Sequence, residues 1–231
     1  MKLHPDLRNA NFVRRLNRFA ALMTLDGEEV LTHVANSGRL TELLTPQNPM
    51  LLAPAPSNTA RKTAYDLALV EVDGVLVSAD ARLPNAIASE AISKGRIPEL
   101  SGYDKITREV QFEDSRLDLL LSGPGRLCYV EVKSVTLVEG GTALFPDAPT
   151  ERGRKHLATL RHAREQGHRA AVMFVVQRPD ANAFEPNVQA DPKFAEALDG
   201  AVRCGVEVFA YRCAVSRTSI EISDRLPVRA G

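Results

Sequence analysis

Between residues 115 and 156 the chain sets three chemically loaded stretches in a fixed order. Ser115-Arg116-Leu117-Asp118 opens an apolar strand, and Tyr129-Val130-Glu131-Val132-Lys133 lies on the next one. Phe145-Pro146-Asp147 and Thr150-Glu151-Arg152-Gly153-Arg154-Lys155-His156 then lead into a basic helix. An aspartate, a Glu-x-Lys and a basic helix start, in that order, can gather around one metal ion beside a phosphate backbone.

Glu131 and Lys133 are two apart on a strand, so both leave one face while Cys128, Val130 and Val132 point the other way. Asp118 shares its face with Arg116 and Leu120, and pairing of the two strands lets Asp118 and Glu131 converge. Two close carboxylates repel unless a cation lies between them, and oxygen-only ligation with open water positions suits Mg²⁺ or Mn²⁺. Such an ion would acidify a bound water and neutralise charge on a phosphoryl oxygen. Lys133 is placed to orient that water or to stabilise an anionic transition state. A bare Asp/Glu-x-Lys arises about once by chance in a chain like this. Asp191-Pro192-Lys193 is a second copy, set at a helix start with no partner carboxylate upstream. Tyr-Val-Glu-Val-Lys also fits an amphipathic strand with one solvated face, and pattern alone leaves both readings open.

Thr150 is placed to cap a helix that runs to Gln166 and stops at Gly167. Its first turns carry Arg152, Arg154 and Lys155, where free N–H groups and the helix dipole favour an anion. Gly153 removes a side chain where a phosphate backbone could approach. Glu151 and Lys155 equally form an i, i+4 surface pair, and His156 taken singly reads as a half-buried packing residue. His156, His162 and His168 spread round the helix with no thiol near, which argues against zinc. Earlier in the chain, Asn36-Ser37-Gly38-Arg39 reads as a backbone nest for phosphate or a plain turn, and Arg61-Lys62 adds charge. Phe12, Phe19 and Tyr65 are the only aromatics before residue 82. So few rings give little basis for base stacking, so contact there is expected with phosphate.

Net charge is zero over 231 residues, so composition alone does not mark a nucleic-acid binder. The charges are unevenly spread. Residues 151–170 hold Arg152, Arg154, Lys155, Arg161, Arg164 and Arg169 against Glu151 and Glu165. The first twenty hold Lys2, Arg8, Arg14, Arg15 and Arg18 against Asp6. Two basic faces on a neutral protein can bind phosphate locally. No apolar run reaches the ~18 residues of a membrane span, and the first residues lack a secretory stretch. Cys128, Cys204 and Cys213 are scattered and odd in number, so neither a disulfide framework nor a thiolate zinc site is implied. A cytoplasmic protein is expected. Nothing advertises a protein partner, and self-association stays open.

Residues 1–82 read as a small, OB-like β barrel. Phe12 to Leu25 has strand-like apolar content, and Asp26-Gly27 and Asp73-Gly74 are favoured hairpin turns. Pro46, Pro49, Pro54 and Pro56 make residues 45–60 loop or edge. Residues 83–231 read as an α/β domain on a mixed sheet. Helices are expected near 85–95, 150–166 and 192–204, with strands at 107–112, 116–121, 127–135, 171–176, 206–215 and 218–222.

These residues carry a family resemblance. Glu99-Leu100-Ser101-Gly102-Tyr103, Ser115 to Asp118, Tyr129 to Leu137, Phe145-Pro146-Asp147-Ala148 and Thr150 to Gly153 with Lys155-His156-Leu157 resemble the bacterial sugar fermentation stimulation protein family. The resemblance implies DNA binding and an OB-like domain joined to a PD-(D/E)xK nuclease-type core. It matches Asp118, Glu131 and Lys133 to the nuclease triad and Glu90 to the acidic residue of the first core helix. Arg152, Arg154, Lys155, His156, Arg39, Arg61 and Lys62 are the expected DNA contacts. Leu117 stands where the nuclease signature has proline, and Val34-Ala35-Asn36-Ser37-Gly38 departs from the family's Cys-Pro-Asn-Thr-Gly. The first expectation is a Mg²⁺- or Mn²⁺-dependent DNA-cleaving protein. A non-catalytic DNA-binding regulator of sugar metabolism is the alternative, and a metal-binding structural module the third.

Overall fold

Two Asp-Gly pairs set the hairpins of the first half. Asp26-Gly27 and Asp73-Gly74 take positive φ at both positions, 52° and 86° in one and 51° and 79° in the other. That is the turn geometry matching the twist of flanking strands. The computed structural model describes residues 1–55 and 61–229, and the end of the proline-rich stretch at 56–60 lies outside them. Its first strands are β1 (Arg8–Asn17), β2 (Ala20–Leu25), β3 (Glu28–His33), β4 (Pro49–Pro54), β5 (Tyr65–Val72) and β6 (Val75–Ser78). They hydrogen-bond in the order β3-β2-β1-β4-β5-β6. Parallel pairing of Thr32 with Tyr65 and His33 with Asp66 joins β3 to β5 and closes an OB-like barrel. Met23, Leu43, Met50, Leu52, Leu67 and Val77 fill it.

Two expectations are corrected here. The run Phe12–Leu25 is not one strand, because the chain reverses at Arg18-Phe19 and splits it into β1 and β2. The proline-rich stretch contains β4, an interior strand paired with both β1 and β5. Pro49 and Pro54 occupy its two ends, where a missing N–H does least harm to the ladder.

The remainder supplies α1 (Pro84–Ser93), β7 (Lys105–Phe112), β8 (Ser115–Gly123), β9 (Arg126–Val135), β10 (Val138–Glu139), β11 (Thr142–Phe145) and α2 (Glu151–Glu165). Then come β12 (Arg169–Val176), β13 (Ala183–Pro186), α3 (Pro192–Arg203), β14 (Glu207–Val215) and β15 (Ile220–Leu226). The main sheet runs β15-β14-β12-β9-β8-β7, with β9, β12 and β14 parallel and the others antiparallel. Ile87, Ala91 and Ile92 of α1 cover one face, over Leu119, Val130 and Met173. Leu157 and Leu160 of α2, with Phe194 and Leu198 of α3, cover the other, over Tyr129, Val172 and Phe174. β12 is thus buried on both faces, which explains its unbroken apolar run. The small sheet β10-β11-β13 was not expected, because its strands are two to four residues long and carry little periodicity. Ser78 N donates to Gln177 O at 2.9 Å and helps join the barrel to the end of β12. Among the described residues no helix is long and apolar enough to cross a membrane.

Candidate active site

β8 loses its alternation at Asp118. Leu117 packs in the core under α2, whereas Leu119 packs in the core under α1. Residues two apart on a regular strand would share a face. Across on β7, Glu109 falls in the gap between the pairs Arg108↔Leu119 and Val110↔Leu117, at φ 54°, a conformation uncommon outside glycine. Pairing of β8 with β9 ends at Leu119↔Val130. Beyond it the Asp118 carboxylate replaces a strand partner: Oδ2 accepts from Val132 N at 2.8 Å, and Oδ1 from Asn85 Nδ2 of α1 at 2.6 Å. The expected face shared with Arg116 and Leu120 is therefore corrected to a seam between parting strands. Burial and the charge on Glu131 push the Asp118 carboxyl above its ordinary value, against the hydrogen bonds from Val132 and Asn85.

Glu131 is only 2% exposed. Lys133 Nζ donates to its Oε1 at 2.6 Å, and His156 Nδ1 of α2 contacts the same oxygen. Burial raises this carboxyl, but the hydrogen bond from His156 and the charge of Lys133 outweigh it and hold Glu131 below the usual glutamate range. Arg152 Nε donates to His156 Nε2 at 3.4 Å, which assigns the Nδ1 proton to the Glu131 contact. The second oxygen, Oε2, is buried with no hydrogen-bond partner among the described residues. An orphaned buried carboxylate oxygen is costly, and such an atom needs a cation or donor to explain it.

Asp118 and Glu131 are thus the pair able to hold a cation. Among the described residues no group of three or more His, Cys, Asp or Glu side chains is arranged as a ligand cluster. Two carboxylates would leave the other positions to water and substrate, as suits Mg²⁺.

Other expected site residues lie elsewhere. Glu90 pairs with Lys94 and with the Met1 amino group at 3.2 Å, and α1 reaches Asp118 through Asn85 instead. His156 is buried beside Glu131, so it belongs to the carboxylate site and not to a phosphate-facing surface. Arg154 is engaged by Asp191 at 2.7 Å, and Arg61 grips Asp66 with two bonds of 2.9 Å. Lys155 turns away to Asp114 at 3.0 Å, whereas Arg152 reaches the carboxylate site through His156. Arg39 and Lys62 are exposed. The Asn36–Arg39 nest does hold an anion, but one from this chain. Asp147 Oδ2 accepts from Arg39 N at 2.7 Å and from Leu40 N at 3.4 Å. Gly153, read as room for phosphate, instead lets α2 close on α3: a Cβ there would lie 2.7 Å from Thr150 Cγ2 and 3.2 Å from Phe194 Cε2. Sequence does not single out Asn85, because a lone asparagine in a helix start carries no signal of its target. His156 taken singly gives no sign of Glu131, its buried partner 25 positions away.

Family models match both halves of the chain. The SfsA N-terminal OB domain covers residues 13–79, and the sugar fermentation stimulation protein RE domain covers residues 82–219. A sugar fermentation stimulation protein homolog of Geobacter sulfurreducens is 46% identical over 233 residues, spanning 100% of both chains. The homolog of Desulforamulus reducens is 42% identical over 225 residues, spanning 97% of this chain and 93% of its own. Among solved structures, Pyrococcus furiosus SfsA in complex with Ca²⁺ matches with a TM-score of 0.90 at 33% identity, covering 99% of this chain and 98% of that one. With both halves matched in order and over nearly full length, this chain belongs to the sugar fermentation stimulation protein family.

Proposed function

We propose that the protein binds DNA and hydrolyses its phosphodiester backbone, with Mg²⁺ or Mn²⁺ held by Asp118 and Glu131. The observation that carries this reading is the buried, unpartnered Oε2 of Glu131 beside an Asp118 carboxyl that burial and its neighbour's charge push up. An all-oxygen donor pair fits a hard divalent cation, and the Pyrococcus furiosus relative, solved with Ca²⁺, supports that capacity in this fold. When bound, the cation supplies an acidified water and neutralises charge growing on a phosphoryl oxygen.

The chain's own groups do the positioning. Val132 N–H and Asn85 fix both oxygens of Asp118. His156 holds one oxygen of Glu131, and the other would be left to hold the cation. Lys133, its side chain 12% exposed, holds its ammonium beside Glu131, where it orients the attacking water and stabilises the anionic phosphate. Arg152, exposed at the start of α2, lies beside His156 and offers a phosphate contact. Arg39, Lys62 and Lys155 are further exposed cations for the DNA backbone.

The test is incubation of labelled single-stranded, duplex and branched DNA with the protein in Mg²⁺, Mn²⁺ or EDTA, alongside Asp118→Asn. Cleavage that requires the ion and Asp118 is the expected result. Binding without cleavage in either metal would reduce the protein to a DNA-binding regulator, and no binding at all would overturn the reading.

A further inference from the structure

The barrel carries an exposed apolar and cationic surface that the carboxylate site does not use. β1 pairs with β4 only from Arg8 to Asn11, while β2 follows it to Asn17. Among the described residues the second half of β1 therefore has no strand along one edge. Along it and in the turn that follows, Val13 is 37%, Leu16 41% and Phe19 50% exposed. Among the described residues these are three of five exposed large hydrophobic side chains, gathered within seven positions, and such gathering marks a contact surface. Arg14 and Arg18 stand exposed between them, and Arg39 beside the turn. The ion pair on β1 is Arg8 with Asp26; Arg14, Arg18 and Arg39 enter none among the described residues.

The patch is held firmly. The Arg15 guanidinium donates to the carbonyls of Arg18 at 2.7 Å and Asn36 at 3.2 Å, and to that of Arg39. Asp147 fastens the Asn36–Arg39 loop to the segment leading into α2. Asn36 also lines one small cleft with Ser134, the neighbour of Lys133. The loop beside the barrel tip is thus fixed to the end of β9 and to the segment leading into α2.

We propose that this β1–β2 tip is a stacking platform for single-stranded DNA. Phe19 takes the face of an unpaired base, Val13 and Leu16 flank it, and Arg14, Arg18 and Arg39 take the phosphates. The proposal rests on the DNA-binding reading above and adds the strand state of the substrate. A duplex hides its base faces and offers only phosphates and groove edges, whereas an exposed ring among cations recognises an unpaired strand. Edge-to-edge pairing of two copies would set uncompensated arginines against each other, so a polyanion is the favoured occupant. The small number of aromatics, which spoke against stacking, matters less than the exposure of this one.

The experiment uses the full chain in EDTA, so that binding is read without cleavage. Anisotropy of a labelled oligonucleotide should show tighter binding of the single strand than of a blunt duplex of equal length. Phe19→Ala should weaken single-strand binding roughly five-fold or more, the lower end of one base–ring stack, with little change for the duplex. The chain has no tryptophan, so Phe19→Trp places a lone, selectively excitable indole at the platform. It should keep the affinity and lose emission as the single strand binds. Unchanged emission while the oligonucleotide is demonstrably bound would overturn the platform, as would equal losses for both DNA forms in Phe19→Ala. A dimer in sedimentation that Phe19→Ala dissociates would make the tip a self-association edge instead. Failure of the unaltered protein to bind either DNA would defeat the DNA reading itself.

Discussion

Asp191 ties two helices together, and its removal should destabilise the protein more than any exposed change. It is 3% exposed. Its Oδ1 accepts from Phe194 N at 3.0 Å and caps α3, while its Oδ2 accepts from Thr150 N at 2.8 Å and from Arg154 Nη1 at 2.7 Å. In Asp191→Ala the lost cap costs about 1 kcal/mol. The Thr150 N–H left without its charged acceptor costs about 1–3 kcal/mol. Arg154 keeps access to water, so its lost ion pair adds under about 1 kcal/mol. Together these come to about 3 kcal/mol, which for a chain of this size lowers the Tm by roughly 6–12 °C. Calorimetry or urea denaturation followed by circular dichroism reads the change. The pH dependence is a second check. Burial alone would raise the Asp191 carboxyl, but the N–H groups of Thr150 and Phe194 and the Arg154 charge hold it below the aspartate range. A lowered folded-state pKa means a contribution complete above about pH 4 and lost as pH falls through the folded value. The gap between the unaltered protein and Asp191→Ala should therefore stay constant from pH 7 to about 5 and shrink under acid. A loss below about 1 kcal/mol at pH 7, or a gap that widens under acid, would refute the reasoning.

Mg²⁺ or Mn²⁺ should raise the Tm by mass action, and Asp118→Asn or Glu131→Gln should abolish that rise in scanning fluorimetry. The raised Asp118 carboxyl has the opposite linkage to Asp191: its ionised form disfavours the metal-free fold above its folded pKa. Asp118→Asn should thus raise the metal-free Tm at neutral pH, a gain that vanishes as pH falls through the aspartate range. Lys133→Ala should keep the cation-induced Tm rise yet abolish cleavage of labelled DNA. Gly153→Ala should destabilise by about 1–3 kcal/mol through overpacking against Thr150 and Phe194, despite the better helix propensity of alanine, as thermal melts would show.

What the sequence determined by itself is what neighbouring residues decide among themselves. The Asp-Gly hairpins follow from two residues that tolerate positive φ. The α2 cap follows from Thr150, whose hydroxyl accepts from Gly153 N at 3.0 Å. Asp191-Pro192-Lys193 was recognisable as a helix start because a capping residue followed by proline is a local signal. The pairing of β8 with β9 was legible too, since a short turn joins them. Tertiary structure decided everything that depended on how one element rotates against another. α1 buries Ile87, Ala91 and Ile92, and that choice of face delivers Asn85 to Asp118 and turns Glu90 toward Met1 and Lys94. β4 became an interior strand only because β1 and β5 offered it edges from distant parts of the chain. The break at Asp118, the His156 contact with Glu131 and the Asp147 carboxylate in the Asn36–Arg39 nest are likewise pairings across long sequence separations. Each is settled when a buried polar group must find whichever partner the packed core brings within reach.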